Sequence, residues 1–579
     1  MNAFDTHEVR NTVTPFENVN LFACDAALQE ALEREGGGAQ RASLEELGAL
    51  LGRAETLELG RLANSHTPTL RNFDRAGKRI DEVEFHPSWH QLMSLLIAHG
   101  THASPWESGE AGAQVARAAR YILFGQLENG SQCPVTMTYA CVPALRQAPS
   151  IAARWLPKIL SRDYDPRSLP VEQKRGAIVG MGMTEKQGGS DVRTNSTRAE
   201  PVLPADAQQI GAQAGDDVFR IVGHKWFFSA PQSDAHLVLA QTGETSAGLS
   251  CFFVPRFLPN GERNQIRVQR LKDKLGNRSN ASSEVEFTGA YGWLVGKVGR
   301  GIPTILEMGS HTRLDCVLGS AGIMRAALTH ALHHARQRVA FGKPLSEQPL
   351  MQNVLADMAL ESEAATAFAM RLARCFDQAG DPAQAMLARV LTPAGKYWIC
   401  KRGPALGAEA MEVIGGSGYV EDGPLARLYR ELPVNSIWEG SGNVMCLDLL
   451  RAFGKTPAAR DALAAELALA RDGSACGSGG AATLSARDHA ALNARAAFAC
   501  FADALLEDLA APQQDEYGAR LLAERVVLAV QAGLLLRHAP DYVSSAFVAS
   551  RLTRDVGGAF GRLPAGVDCK AILARALME

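Results

Sequence analysis

The chain carries almost no net charge: 59 Lys plus Arg stand against 62 Asp plus Glu, a formal charge of −3. That excludes a uniformly basic nucleic-acid binder and leaves room only for a local patch. Its eleven Cys are odd in number and form no C-x-x-C pair. No disulfide framework is expected, and the thiols are read as reduced. H-E-x-x-H and Cys/His clusters are missing, so no metal site is expected and His333-His334 reads as a helix surface. G-x-G-x-x-G is missing too, which argues against a Rossmann dinucleotide unit. Gly454-Lys455-Thr456 imitates a phosphate loop, but Leu449 stands where its first Gly belongs. The apolar run Val526 to Leu536 is far too short to cross a bilayer. Met1 to Asn20 is polar, unlike a secretory signal, so a cytoplasmic setting is the expectation. No internal repeat is present.

What is there is 46% hydrophobic over 579 residues, enough for about three or four domains. Residues 1–177 read as helical: Gly36-Gly37-Gly38 is a break, Leu44, Leu47, Leu50 and Leu51 fall at helical spacing, and Ala113 to Leu127 repeats the pattern. Residues 178–295 change character. Phe219 to Val222, His236 to Ala240, Leu249 to Val254 and Ser283 to Phe287 are short runs bounded by turn residues, and they read as strands. Helical spacing returns over 296–455, with Leu314, Val317, Leu318, Ala321, Met324, Leu328 and Leu332 in one stripe. Arg471 to Ala486 reads as a Gly/Ser/Ala linker inside a further helical region, 456–579.

The organising stretch is Asn435 to Asp448, N-S-I-W-E-G-S-G-N-V-M-C-L-D. It sets Glu439 between the large Trp438 and a Gly440-Ser441-Gly442 bend. Asn443 then reads as the cap of a helix over Val444 to Arg451. A carboxylate in an apolar turn suits a general base; the alternative is a solvated Glu in a surface loop. Met183 to Asp191, M-T-E-K-Q-G-G-S-D, offers backbone N–H groups and small hydroxyls to a polar ring or phosphate; alone it equally reads as a turn. Gly223 to Ser229, G-H-K-W-F-F-S, puts an aromatic and a hydroxyl at a strand end or is an amphipathic strand. The cations of Arg338 to Pro344 either bind or answer a helix dipole.

Taken in order, M-T-E-x-x-G-G-S-D, G-H-K-W-F-F-S, R-x-x-F-G-K-P, G-G-x-G-Y and W-E-G-S-G-N resemble the acyl-CoA dehydrogenase family, over about residues 120–455. Gly180 to Val192, Pro231 to His236, Leu271 to Ala281 and Pro433 to Asp448 are closest to its alkylation-response subgroup. The resemblance implies an α+β, mainly α fold: an N-terminal helical domain, a central β-barrel-like domain, a C-terminal helical domain and extra C-terminal helices. It implies FAD as cofactor and a homotetramer. Met183, Thr184, Gly189, Ser190, Trp226, Phe227 and Ser229 would contact the flavin and its pyrophosphate. Arg338 and Phe341 would reach the adenine-diphosphate part, often from a neighbouring subunit. Ile437, Trp438, Gly440, Ser441 and Asn443 would close the site. Glu439 would take the α-proton of an acyl-CoA, and its backbone N–H would polarise the thioester carbonyl. Asp315 is the alternative acid, near Arg313.

Two departures stand out. The family usually has Tyr before the catalytic Glu and Thr after the Gly, where this chain has Trp438 and Ser441. The indole narrows an acyl pocket, so efficient turnover of ordinary acyl-CoA is not expected, and the resemblance to the alkylation-response subgroup implies weak, isovaleryl-CoA-like dehydrogenase activity. The subgroup further implies duplex DNA as partner and protection against alkylation, including inactivation of alkylating agents. Residues 451–579 balance at 14 Lys plus Arg against 14 Asp plus Glu. Arg451, Arg551, Arg554, Arg562, Lys570 and Arg575 are the candidate DNA patch. The competing readings are an ordinary catabolic acyl-CoA dehydrogenase and a DNA-protecting flavoprotein without catalysis.

Overall fold

The computed structural model describes residues 4, 6–243, 248–471, 486–510, 515–553 and 558–578. It divides into two compact units, Glu55–Ala113 with Glu128–Asp315, and Met1–Ala54 with Gln114–Leu127 and Cys316–Glu579.

The first unit holds the sheets. β1 (Thr69–Phe73) and β2 (Arg79–Glu84) form an antiparallel hairpin inside the stretch expected to be wholly helical. Asp74 closes its turn by accepting from the backbone N–H of Ala76 and Lys78. Asn72 and Arg79 then donate to the Val268 carbonyl and dock the hairpin. Those contacts are tertiary, and no alternating apolar pattern announces them.

β3 (Val179–Gly182), β4 (Arg198–Pro201), β5 (Val218–Ser229), β6 (Ala235–Thr242), β7 (Leu249–Pro255), β8 (Ile266–Leu271) and β9 (Ser282–Val295) build the main sheet. It closes on itself through β4–β5, β5–β9, β9–β7, β7–β6 and β6–β4, with β3 added beside β6 and β8 beside β9. Closure leaves few free edges. Phe219, Ile221, Phe252, Val254 and Phe287 fill the middle. β7 is buried along its whole length, so it shows no in–out alternation. All the strand runs read from the sequence lie inside these strands.

The second unit is helical. Ala113–Leu127 is buried along nearly all its length, and Gly322 lets its partner approach: a Cβ there would lie 2.7 Å from the Ile122 carbonyl oxygen. The stripe Val317, Leu318, Ala321, Met324, Leu328 and Leu332 is fully buried on the Gly301–Gln337 helix. Pro349–Asp377, Pro382–Ile414, Pro424–Asn435 and Gly442–Lys455 follow, then Ala458–Ala468, Ala486–Ala510, Ala519–His538, Asp541–Arg551 and Cys569–Ala576. Most of the linker 471–486 lies outside the described residues. Among the described residues no helix is long and apolar enough to cross a membrane, and no His/Cys/Asp/Glu group could hold a metal.

Candidate functional site

The sequence-derived residues fall into two sets, one in each unit. In the sheet unit, the loop after β3 and the end of β5 meet: the Trp226 N–H donates to the Thr184 carbonyl at 2.8 Å. The loop is fixed from below. Glu185 and Lys225, both fully buried, pair at 2.7 Å. Glu185 also accepts from Ser196 and Thr197, and Lys225 donates to the Leu239 carbonyl at 2.9 Å. Lys186 N–H donates to His224 Nε2, and Asn195 donates to the Met183 carbonyl. Above this base Gly188 takes φ +131°, Gly189 folds over Thr184, and Gly189 and Ser190 are exposed. A Cβ at Gly189 would lie 2.4 Å from Thr184 Oγ1, so a side chain there would push the Thr184 hydroxyl aside. Sequence reasoning passed over Glu185 and Lys225. Two opposite charges at consecutive motif starts were the available signal.

Burial pushes the Glu185 carboxyl up, and Lys225 with the hydroxyl and amide donors more than offsets this, holding it at about 2 against an ordinary 4.5. Its folded value is depressed, so its contribution is present above pH 4.5 and is lost as pH falls toward 2. The expected result is a fall in stability across that window, flattened in Glu185→Gln, measured by urea unfolding as a function of pH.

On β5, Trp226 is half-buried with Lys272 Nζ 3.6 Å from its ring centroid. Phe227 is half exposed. Ser229 faces Ser282 at 3.3 Å, Oγ to Oγ. Behind it His236 stacks on Phe228 at 3.9 Å, and burial pushes its imidazole down to about 3, so it stays neutral.

In the helical unit, Asn435 ends one helix and Gly442 begins the next. Between them Glu439 is half-buried and takes φ +57°, an uncommon conformation for a side-chain-bearing residue, with Gly440 at +100°. The buried indole N–H of Trp438 finds no acceptor among the described residues. Ile437 is 66% exposed. One expectation is corrected: the cap of the following helix is Ser441, not Asn443, and the helix spans Gly442–Lys455. Asn443 lies in its first turn and accepts from Arg520 Nε at 2.8 Å. Gly442 packs closely on Tyr397, where a Cβ would lie 3.3 Å from the ring.

Arg338 and Phe341 sit on a two-strand hairpin, β10 (Val339–Ala340) with β11 (Lys343–Pro344). Arg338 Nη1 donates to the Asn11 carbonyl at 2.6 Å, and Phe341 is 98% exposed at φ +53°. Asp315 is buried and accepts from Thr136 Oγ1 at 2.8 Å.

The candidate DNA patch is corrected. Arg551 is buried against Asp357 at 2.5 Å and Glu361 at 3.3 Å. Arg575 pairs with Glu30 at 2.6 Å and Glu363 at 2.9 Å. Both guanidinium groups fasten the added helices to Pro349–Asp377 and cannot also face a phosphate. The sequence pairs no acid with them locally, because their partners lie roughly two hundred residues or more away. Arg554 lies outside the described residues. Arg451, Arg562 and Lys570 are exposed.

Residues 11–166 match the adaptive response protein AidB N-terminal domain, 180–290 the acyl-CoA dehydrogenase middle domain, and 299–454 the acyl-CoA dehydrogenase C-terminal domain. The chain is 55% identical over 462 residues to AidB of Escherichia coli strain K12, covering 79% of this chain and 83% of that one. It belongs to the acyl-CoA dehydrogenase family. Among solved structures, ACDH-11 of Caenorhabditis elegans in complex with C11-CoA superposes with TM-score 0.83 at 26% identity, covering 96% of each chain. The apo form of Bd2924 superposes with TM-score 0.78 at 30% identity, covering 91% of this chain and all of that one. Membership makes this an FAD-dependent oxidoreductase. The residues present fit that cofactor. In the sheet unit the loop over Thr184 to Ser190 leaves Gly189 and Ser190 exposed above the buried Glu185–Lys225 pair, so backbone N–H groups and small hydroxyls are open to a polar ring or a phosphate.

Proposed function

We propose that the protein oxidises an acyl-CoA between its α- and β-carbons, with Glu439 as the base. The carrying observation is a carboxylate on a strained turn between a large indole and a glycine bend. The reaction needs a carboxylate on one side of the α-carbon and a hydride acceptor on the other. Bound FAD supplies that acceptor. Met183, Thr184, Gly189, Ser190, Trp226, Phe227 and Ser229 would hold it, with Arg338, Phe341, Ile437, Trp438, Gly440, Ser441 and Asn443 completing the contacts. Lys272, Lys186 and Arg270 lie over the Trp226 ring and give that end of β5 a cationic setting that would suit the electron-rich cofactor. Glu439 takes the α-proton while its own N–H polarises the thioester carbonyl. Trp438 favours a short branched acyl group over a bulky one. The test is anaerobic titration of the yellow holoprotein with a panel of acyl-CoAs. Bleaching by isovaleryl-CoA supports the reading, and bleaching by none refutes it.

The same reading places the enzyme in the cytoplasm as a homotetramer, supported by the bare Phe341 ring, which suits a contact with a second copy. We further read it as acting in the response to alkylation with duplex DNA as partner. The match of residues 11–166 to an adaptive-response domain supports this, as do the exposed Arg451, Arg562 and Lys570. Binding is expected to tolerate sequence and to weaken steeply with salt, because phosphate contacts release counterions. Titration of labelled duplex DNA checks it. No binding at low salt would leave the ordinary catabolic reading.

A further inference from the structure

We propose that Lys396 is a positioning residue that holds Glu439 in its reactive conformation; this rests on the reading of Glu439 as the base. Lys396 lies on the Pro382–Ile414 helix and is 1% exposed. Its ammonium donates to the carbonyl of Trp438 at 2.6 Å and to the carbonyl of Gly440. These are the residues on either side of Glu439. Two consecutive positive φ values, +57° and +100°, accompany this convergence of the two carbonyls on one cation. A side-chain-bearing residue held there is strained and persists only where its surroundings impose it.

Among the described residues no carboxylate pairs with Lys396. A buried cation without a counter-ion is expensive, and an apolar side chain would fill the space more cheaply. The cation is therefore explained by what it holds. The rest of the turn is anchored by neighbours of the same helix. Asn435 donates to Ser320 Oγ at 3.1 Å, and Ser320 donates to the Cys400 sulfur at 3.3 Å, one helical turn beyond Lys396. Gly442 packs on Tyr397. With both ends fixed this way, Lys396 sets the middle.

The test uses the FAD-loaded full chain as wild type, Lys396→Met, Lys396→Arg and Glu439→Gln. Two readouts are taken: amide hydrogen exchange of peptides covering 436–443, and the rate and apparent affinity of flavin reduction by isovaleryl-CoA. In Lys396→Met the turn is expected to exchange at least about tenfold faster while distant helices are unchanged. Reduction should slow about 10²-fold, as a misplaced group does, with apparent affinity within about twofold. Lys396→Arg, which keeps the cation, should recover part of the rate. If Lys396→Met does not fold, the arginine variant and Lys396→Gln, which keeps a neutral donor, carry the same two readouts. Unchanged exchange at the turn, or a loss confined to affinity, would overturn the proposal. If Glu439→Gln still reduces flavin at the wild-type rate, the base assignment itself has failed, whatever the exchange data give.

Discussion

Glu439→Gln is expected to retain FAD and to lose acyl-CoA-dependent flavin reduction by about 10²–10⁴-fold, the usual worth of a positioned general base. The amide fills nearly the same volume and keeps the backbone at φ +57°, so the turn should survive. What it loses is the ability to accept the α-proton. Stopped-flow reduction at saturating acyl-CoA measures this directly. A variant within about threefold of wild type would place the base elsewhere. Asp315 is a poor substitute: it is 2% exposed and occupied by Thr136.

Arg551→Met is expected to lower stability by about 3–5 kcal/mol, the cost of stranding buried carboxylates without their cation. Asp357 would keep the backbone N–H groups of Gly561 and Arg562, at 2.9 and 3.2 Å, and a more distant Arg402 charge. Glu361 would keep Arg402 at 3.3 Å. Urea unfolding of the full chain is the measurement. A loss below about 1 kcal/mol, as exposed pairs give, would contradict the buried-pair reading. The consequence reaches the DNA question. Replacing all the C-terminal basic residues together would loosen the added helices as well as remove charge. Arg451, Arg562 and Lys570 are the cleaner set to change.

How much of this was legible in the sequence depended on the range of the interaction. The stripe from Leu314 to Leu332 shows itself because burial repeats with the helical period, and the wholly buried strand from Leu249 shows itself as a short apolar run bounded by turn residues. The β1–β2 hairpin did not, because its strands are rich in charge and are held by Asn72 and Arg79 reaching Val268. Glu439 stood out by its setting between Trp438 and Gly440. Its holder, Lys396, lies forty-odd residues upstream in a helix whose pattern treats it as one more surface lysine. Arg551 and Arg575 failed in the opposite direction. They read as free cations because their acids lie on a distant helix and near the chain's beginning. Residue preference points to Asn443 as a cap, yet Ser441 occupies that place and Asn443 instead accepts from Arg520 of the added helices.

The most direct test of Glu439 as the base is a crystal structure of Glu439→Gln with FAD and a bound acyl-CoA. The expected result is the 439 carboxamide within about 3–3.5 Å of the α-carbon, the separation of a reacting pair. An acyl chain bound with its α-carbon well away from residue 439, or another carboxylate in that position, would contradict it.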